Sequence, residues 1–380
     1  MRPASRWPWL LGGEPPRTGW YAVMTANSSS PGAAPQHRTR PTDLALGGIV
    51  LLALALRLPN LTRPLWYDEI LYAGKLGAPT LGGLILYIFY QIGSIGYRVP
   101  MFFYVHLLGE NPVVLRLPSL LAGLGSLALT FALARRYTGR RAALLAALLL
   151  AVSPVHVWYS QEAAPYAAAQ FLLLAAALQG HRLRAGTAGR HGWSLYTLLL
   201  IAAGWMHYYS ALFLLPLSLL ALGAEPRQRN RLWLSHAVAG LWCSLPLVLR
   251  VAAGTMITGM PYGRPFTLLE WWMLFFHWFL QGNCLWSVPP HELYDLGGWT
   301  YLLRQPLLLA CQAAGLVLLL RGLLLPSRWA QPAASGEVRP RPAWELGLYL
   351  VCSPLVLFVL TLAGLDQLYV ERFLYVLLPF

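Results

Sequence analysis

Long apolar runs separated by short polar segments dominate the chain. A helix rises about 1.5 Å per residue, so a run of roughly 20 apolar residues crosses the hydrocarbon core of a bilayer. Nine runs approach this length, and a tenth begins at Phe373. The pattern predicts an all-α, polytopic transmembrane bundle of about nine or ten spans. The nine predicted spans are residues 44–58, 117–134, 142–158, 165–180, 193–209, 210–224, 232–252, 301–320 and 344–364.

Composition agrees with a membrane protein. Hydrophobic residues fill 57% of the 380 positions and charged residues only 11%, whereas soluble domains are about 25% charged. These values argue against a soluble metabolic enzyme, a disordered regulator, a collagen-like fibre and a disulfide-stapled secreted domain. The four cysteines form no CxxC pair, so we predict neither a disulfide nor a cysteine metal site.

The positions of the arginines predict the orientation of the bundle. If the N-terminus is cytoplasmic, the inside segments carry 19 basic and five acidic residues, and the outside segments carry nine of each. An excess of Lys and Arg marks cytoplasmic loops. The net charge of +14 therefore reflects topology, and no nucleic-acid partner is needed to explain it. We expect a multi-pass protein with its N-terminus inside.

The N-terminal segment differs from the rest of the chain. Residues 1–42 are rich in Arg, Pro, Ser and Gly, and their apolar stretches are too short for a signal peptide. We predict a disordered cytoplasmic tail over 1–42, for which Met24 offers a second start, followed by one transmembrane domain over 43–380. Because the tenth apolar run stops at Phe380, we expect the natural chain to continue.

Two predicted outer segments, 59–116 and 253–300, are too long to be simple turns. Both contain short apolar stretches rich in Tyr, Trp and Phe, which are typical of helices lying in the headgroup region. We therefore predict interfacial helices in the first and fourth outer loops, covering an outward-facing cavity. The stretches are residues 84–90, 100–108 and 266–280.

The first candidate for chemistry is the acidic pair Asp68 and Glu69, which follows the first span. Two carboxylates just outside hydrocarbon are costly to desolvate unless they are paired or used. A general base that removes a proton from a hydroxyl needs such an oxygen acceptor in a partly dehydrated cleft. The alternative is that the acidic pair only hydrates a loop.

The second candidate is Glu162, the only acidic residue between Glu110 and Glu225. It is flanked by Tyr159, Gln161 and Tyr166, so it is suited to hold a polyhydroxylated ligand through charge-assisted hydrogen bonds. The alternative is a carboxylate stabilised by the helix dipole at the start of the fourth span.

Three further features are less specific. His207 and Tyr208 lie at a tight outer turn, where aromatic and histidine residues are common at the membrane surface. Arg372 is either an anchor in the headgroups or a phosphate ligand. The His, Cys, Asp and Glu residues of the segment 253–300 match no zinc spacing, so we predict no metal site and no required cofactor.

The combined motifs resemble the GT-C superfamily of integral-membrane glycosyltransferases. The resemblance rests on Leu-Arg-Leu-Pro-Ser at 115–119, the Arg-rich turn 135–141, Ser-Pro-x-His-x-Trp-Tyr-Ser-Gln-Glu-Ala at 153–163, Met-His-Tyr-Tyr at 206–209 and Glu-Arg-Phe-Leu at 371–374. The chain is similar to the family 39 protein O-mannosyltransferases, the aminoarabinose transferase acting on lipid A and lipopolysaccharide-core sugar transferases.

The resemblance implies transfer of a sugar from a polyprenyl-phosphate donor to a glycan, lipid or protein acceptor outside a bacterial inner membrane. Asp68 is then the general base, and Glu69 and Glu162 position acceptor and donor. Arg372 binds the lipid phosphate. The remaining binding residues are expected to be Arg63, Tyr159, Gln161, Tyr166, His207 and Tyr208.

Two alternatives to an enzyme stay open at this stage. A transporter or flippase of lipid-linked sugars would place ionisable residues near the middle of the membrane, and the predicted spans carry almost none there. An inactive relative acting as a scaffold stays open because of Ala164, since relatives often have arginine at this position. Carboxylates at the outer rim favour the enzyme.

Overall fold

The protein is all-helical throughout the part that the computed structural model describes. That part comprises residues 41–74, 76–90, 94–207, 210, 214–221, 224–252, 267, 270, 295–307, 309, 310, 313, 314, 316, 317 and 321. The predicted tail 1–42 and the predicted span 344–364 lie outside it, apart from the first residues of the first helix. The helices are α1 (Pro41–Arg57), α2 (Tyr67–Ala73), α3 (Leu81–Tyr90), α4 (Ile95–Leu108), α5 (Pro112–Ala134), α6 (Arg140–Val152), α7 (Pro154–Ser160), α8 (Tyr166–Arg184), α9 (Gly192–Met206), α10 (Leu214–Ser218), α11 (Pro226–Ala252) and α12 (Gly298–Arg304), with 3-10 turns at Leu58–Asn60 and Leu219–Ala221.

Helix α5 has the length and composition of a membrane span. Its 23 residues begin at Pro112, which has no N–H to leave unpaired in the first turn. Asn111 caps this end, because its Oδ1 accepts a hydrogen bond from the Val114 N–H at 3.0 Å. Within the described residues, α5 is the only single helix that is both long and apolar enough to cross a membrane.

The predicted third span is broken into α6 and α7. The two helices meet at an angle of 62°, and together they are long and apolar enough for one span. Pro154 explains the break, because its ring and missing N–H do not allow a helix to continue. The Ser153 hydroxyl caps the new helix by accepting from the His156 N–H at 3.4 Å. The helices α1 and α9 are apolar but shorter than a full span.

The bundle is centred on α8, which lies between α5 and α9. Helix α9 packs in turn on α11, and α1 packs on α5 and α6. Small residues line the buried faces of α8, where they allow neighbouring helices to approach closely. The buried small residues of α8 are Ala167, Ala169, Ala176, Ala177 and Gly180.

The arginine-rich turns and the buried acidic residues lie at opposite ends of this bundle. The turns from α5 to α6 and from α8 to α9 carry arginines and lie at one end. The other end contains α2, the junction of α7 with α8 and the end of α9, and it holds Asp68, Glu69 and Glu162.

The predicted interfacial stretches at 84–90 and 100–108 are helical, as parts of α3 and α4. Helix α4 exposes Phe103, Leu107 and Leu108, as expected for a helix in contact with lipid. Its first turn contacts the end of α9, because a Cβ atom on Gly96 would lie 2.6 Å from the Trp205 carbonyl carbon. Of the third predicted stretch, 266–280, only Thr267 and Glu270 are among the described residues.

We predict that Gly96→Ala separates α4 from the end of α9. A methyl group there overlaps backbone atoms of Trp205 and Met206, and relief of such overlap typically costs about 1–3 kcal/mol. We expect a lower apparent melting temperature in detergent. Gly82→Ala in α3 is the matched control, because a Cβ atom at Gly82 has no neighbour within 4 Å. Equal melting temperatures for the two variants would contradict the close contact.

Candidate active site

The acidic pair lies in the first turn of α2. Trp66 precedes the helix in an extended conformation, and its N–H donates to Glu69 Oε2 at 3.1 Å. Acidic residues are favourable in a first turn, where backbone N–H groups lack helical partners. Both Asp68 and Glu69 are buried. The local sequence therefore brings two carboxylates below the protein surface.

Glu69 forms a buried, two-point ion pair with Arg116 of α5. Arg116 Nε donates to Oε1 at 2.7 Å, and Nη2 donates to Oε2 at 2.5 Å. The side chains are 1% and 4% exposed, so the pair is shielded from solvent. The Ala163 N–H also donates to Glu69 Oε1, at 2.8 Å. With Trp66, these contacts occupy both oxygens of Glu69.

Arg116 also binds the loop that leads into α2. Its Nη1 donates to the carbonyl oxygens of Asn60, Leu61 and Arg63, at 3.1, 2.9 and 2.6 Å, and Nη2 donates to that of Pro64 at 3.1 Å. One guanidinium therefore fixes both the loop and the acidic helix. The predicted site residues do not include Arg116, although it belongs to the Leu-Arg-Leu-Pro-Ser motif. The predicted span begins one residue after it, whereas α5 begins at Pro112 and places Arg116 within the helix.

The contact between Glu69 and Ala163 brings the two acidic motifs together. Glu162 precedes Ala163, and it is 2% exposed. Gln161 joins the same region, because its Oε1 accepts from Asn60 Nδ2 at 3.0 Å and its Nε2 donates to the Arg57 carbonyl oxygen at 2.7 Å. The segment around Glu162 is thereby attached to both sides of the loop 57–69.

Glu162 has a strongly perturbed carboxyl group. Burial and, to a smaller extent, the charge of Glu69 raise the pKa of Glu162 from 4.5 to about 8, and Trp158, Arg116 and Trp66 partly oppose this. The two indoles favour the charged form, although neither Glu162 oxygen makes a hydrogen bond of normal geometry to a described residue. Glu162 is therefore mainly protonated at neutral pH, and its carboxyl can both donate and accept.

Aromatic rings pack beside the acidic groups. The Tyr166 ring lies 5.1 Å from Tyr159 and 5.2 Å from His207, and its hydroxyl lies 3.2 Å from that of Tyr72. The side chain of His207 is buried. Tyr159, Tyr166 and His207 are all predicted site residues, and the structure places them in one cluster.

A second buried arginine joins α1 to the broken span. Arg57 is fully buried, and its Nη1 donates to the carbonyl oxygens of Ala53 and Ala151 at 2.8 and 3.1 Å. Its Nη2 lies 2.7 Å from His156 Nδ1. Arg57 therefore fixes the end of α1 directly below Gln161, which binds its carbonyl oxygen.

The remaining predicted site residues fall into two groups. Arg63 has an exposed side chain, and its carbonyl oxygen, not its guanidinium, enters the contacts with Arg116. Tyr208 and Arg372 lie outside the described residues. In the described part of the chain, no group of three His, Cys, Asp or Glu residues is arranged to hold a metal ion.

A protein-family model matches the central part of the chain. Residues 100–253 match the model of the dolichyl-phosphate-mannose-protein mannosyltransferase family. The match confirms the predicted resemblance to GT-C-type enzymes, and it runs from within α4 to the end of α11. It includes Arg116 and Glu162, whereas Asp68 and Glu69 precede it. No curated protein and no solved structure matches the chain.

We predict strong energetic coupling between Glu69 and Arg116. Removal of one partner of a buried ion pair leaves an uncompensated charge and typically costs about 3–5 kcal/mol. Glu69→Gln and Arg116→Met should each lower the midpoint of denaturant unfolding in detergent. The double variant should lose less stability than the sum of the two losses. Additive losses would show that the pair is not a coupled unit.

We also predict a pH-dependent stability that arises from Glu162. Its pKa is higher in the folded protein, about 8, than the 4.5 of the free side chain. The folded state therefore binds the proton of the Glu162 carboxyl more tightly than the unfolded state does. The resulting contribution to the free energy of unfolding is complete below pH 4.5 and is lost as the pH rises to 8. Glu162→Gln should remove this part of the decline, and melting curves from pH 5 to 8.5 measure it. An unchanged pH profile would refute the assignment.

Proposed function

We propose, from the premise that residues 100–253 have the GT-C glycosyltransferase pattern, that the protein transfers a sugar from a polyprenyl-phosphate donor to an acceptor outside a bacterial inner membrane. The family match indicates a membrane glycosyltransferase that uses a lipid-linked donor. The acceptor is a glycan, lipid or protein with a free hydroxyl or amine. The multi-pass topology, with the N-terminus in the cytoplasm, belongs to the same proposal.

The observation that carries this proposal is the buried acidic cluster at one end of the bundle. Asp68 is next to Glu69, and Glu69 accepts a hydrogen bond from the residue after Glu162. This end lacks the arginine-rich turns that predict the cytoplasmic side. A site outside the cytoplasm requires a lipid-borne donor, because nucleotide sugars remain inside.

Asp68 is the proposed general base. Its carboxylate removes the proton of the acceptor hydroxyl as the acceptor oxygen forms a bond to the anomeric carbon. The bond between that carbon and the phosphate oxygen breaks, and polyprenyl phosphate leaves with the electron pair. A cationic side chain that binds the leaving phosphate stabilises its developing charge. We assign this role to Arg372.

The other residues hold and orient the substrates. Glu162 presents a protonated carboxyl, which can donate to one sugar hydroxyl and accept from another. Gln161, Tyr159, Tyr166, His207 and Tyr208 are proposed to complete the donor site. We propose that Arg63, whose side chain is exposed, also contributes to donor binding. An oxocarbenium-like transition state also gains from nearby carboxylates.

We propose a different role for Glu69 than for the two other acids. Both of its oxygens are occupied by Arg116 and by backbone N–H groups. A carboxylate with these contacts is poorly placed to accept a proton from a substrate. We therefore propose that Glu69 positions Asp68 and the segment around Glu162.

The distribution of charge favours an enzyme over a transporter of lipid-linked sugars. Transporters usually have ionisable groups near the middle of the membrane. The middle turns of α5, α6, α8 and α9 contain no charged residue. The buried acids lie instead at one end of the bundle.

We expect Asp68→Asn to lose sugar transfer while keeping the fold. The amide has nearly the same size but cannot take up the hydroxyl proton, and loss of a general base typically costs 10²–10⁴-fold. The measurement is mass spectrometry of envelope glycans and lipids from a deletion strain that carries each variant. Asp68→Asn should resemble the deletion.

The matched control is Glu225→Gln, which removes an exposed carboxylate before α11. It should restore the wild-type glycans and lipids. Equal amounts of membrane-inserted protein must be shown for both variants. Wild-type products from Asp68→Asn would refute the proposed base, and no difference between the deletion strain and the wild type would refute sugar transfer.

A further inference from the structure

We propose that Arg98 is a positioning residue that fixes the C-terminal end of α2 and, through this helix, the carboxylate of Asp68. The inference rests on the proposed function for its effect on turnover. The placement of α2 by Arg98 is a structural statement that can be tested separately. Arg98 belongs to α4 and is 2% exposed.

Arg98 donates to the backbone at the end of α2. Its Nη2 lies 2.7 Å from the Leu71 carbonyl oxygen, and its Nη1 lies 3.5 Å from that of Gly74. The last carbonyl groups of a helix have no helical partners, and they carry a partial negative charge. A buried guanidinium at this position donates hydrogen bonds to these carbonyl groups, and its positive charge offsets their partial negative charge.

The same guanidinium also packs against two aromatic rings. Its central carbon lies 5.0 Å from the centre of the Tyr87 ring in α3 and 5.9 Å from that of the Tyr72 ring in α2. The negative face of an aromatic ring attracts a desolvated cation. Among the described residues, Arg98 forms no ion pair, so carbonyl groups and aromatic rings surround its charge.

Helix α2 needs external support because it is short. It has seven residues, and isolated helices below about 12 residues are unstable in water. Arg116 of α5 fixes its N-terminal side through Glu69, and Arg98 of α4 fixes its C-terminal side. Asp68 directly precedes Glu69 and lies one turn before Leu71, so it is close to both attachments. A shift at either end therefore moves the proposed base.

Arg98 also links α2 to the aromatic cluster. The ring of Tyr72, which it contacts, has its hydroxyl 3.2 Å from that of Tyr166. Tyr166 packs in turn against His207. Loss of Arg98 therefore releases both the backbone end of α2 and the side chain that connects α2 with the proposed donor site.

The experiment compares Arg98→Ala and Arg98→Lys with Arg231→Ala. Lysine keeps the charge, but it does not reproduce the planar group that donates twice and stacks on a ring. Arg231 is the matched control, because it lies 5.7 Å from the centre of the Trp193 ring and is exposed at the other end of the bundle. Two measurements are made on full-length protein in detergent.

The first measurement is hydrogen exchange of the backbone amides in residues 66–74. We expect exchange at least tenfold faster in Arg98→Ala, a smaller increase in Arg98→Lys and none in Arg231→Ala. The increase should be confined to α2 and its neighbours, and added guanidinium ion should partly reverse it in Arg98→Ala. Wild-type exchange over 66–74 in both Arg98 variants would overturn the inference.

The second measurement is steady-state sugar transfer, with the lipid-linked sugar identified from the deletion strain as donor. We expect kcat to fall 10–100-fold in Arg98→Ala while KM for the donor changes less than threefold, and guanidinium ion should raise kcat.

An unchanged kcat with faster exchange would refute the positioning role in catalysis. If the wild type transfers no sugar but exchange in Arg98→Ala is faster, the proposed function fails and the support of α2 by Arg98 stands. If Arg98→Ala does not fold, Arg98→Lys carries both tests.

Discussion

The buried ion pair between Glu69 and Arg116 is the contact on which the rest of the candidate site depends. It joins a short helix outside the bundle to α5, one of the longest helices in it, and through Ala163 it also holds the segment that contains Glu162. Burial of two charges is costly unless nearly every donor and acceptor is satisfied. Here the guanidinium also binds four loop carbonyls. The main effect of the pair is therefore to fix the position of the loop, because the cost of burying the two charges offsets much of their attraction.

The sequence predicts the broad architecture because membrane burial leaves a strong local pattern. The all-α class, the helices at 84–90 and 100–108 and the GT-C resemblance are confirmed. The number of spans is less well predicted, because the third apolar run is a bent pair and several helices are short. A proline inside an apolar run shows that a bend is allowed, but its angle depends on the helices that pack around it. The domain boundaries and the roles of the site residues stay predictions.

The sequence also identifies candidate acids, since a carboxylate beside an apolar run is unusual wherever it occurs. The sequence does not show which of these carboxylates is paired with an arginine. Arg116 is 47 residues from Glu69, and Arg98 is 27 residues from Leu71, so no local pattern reports these contacts. The difference between Glu69, which is fully paired, and Glu162, whose pKa is raised, is likewise set by tertiary neighbours. Buried arginines within apolar helices were the available signal.

The bend between α6 and α7 has a consequence for the hydrogen bonding of the backbone. The break releases backbone acceptors from helical hydrogen bonding, and the Ala151 carbonyl oxygen receives its donor from Arg57, 94 residues earlier in the chain. A carbonyl without a donor is costly in hydrocarbon. The bent pair therefore depends on α1 for a donor that its own residues do not supply to this carbonyl. A residue of α1 thus completes the backbone hydrogen bonding of a bend that lies much later in the chain.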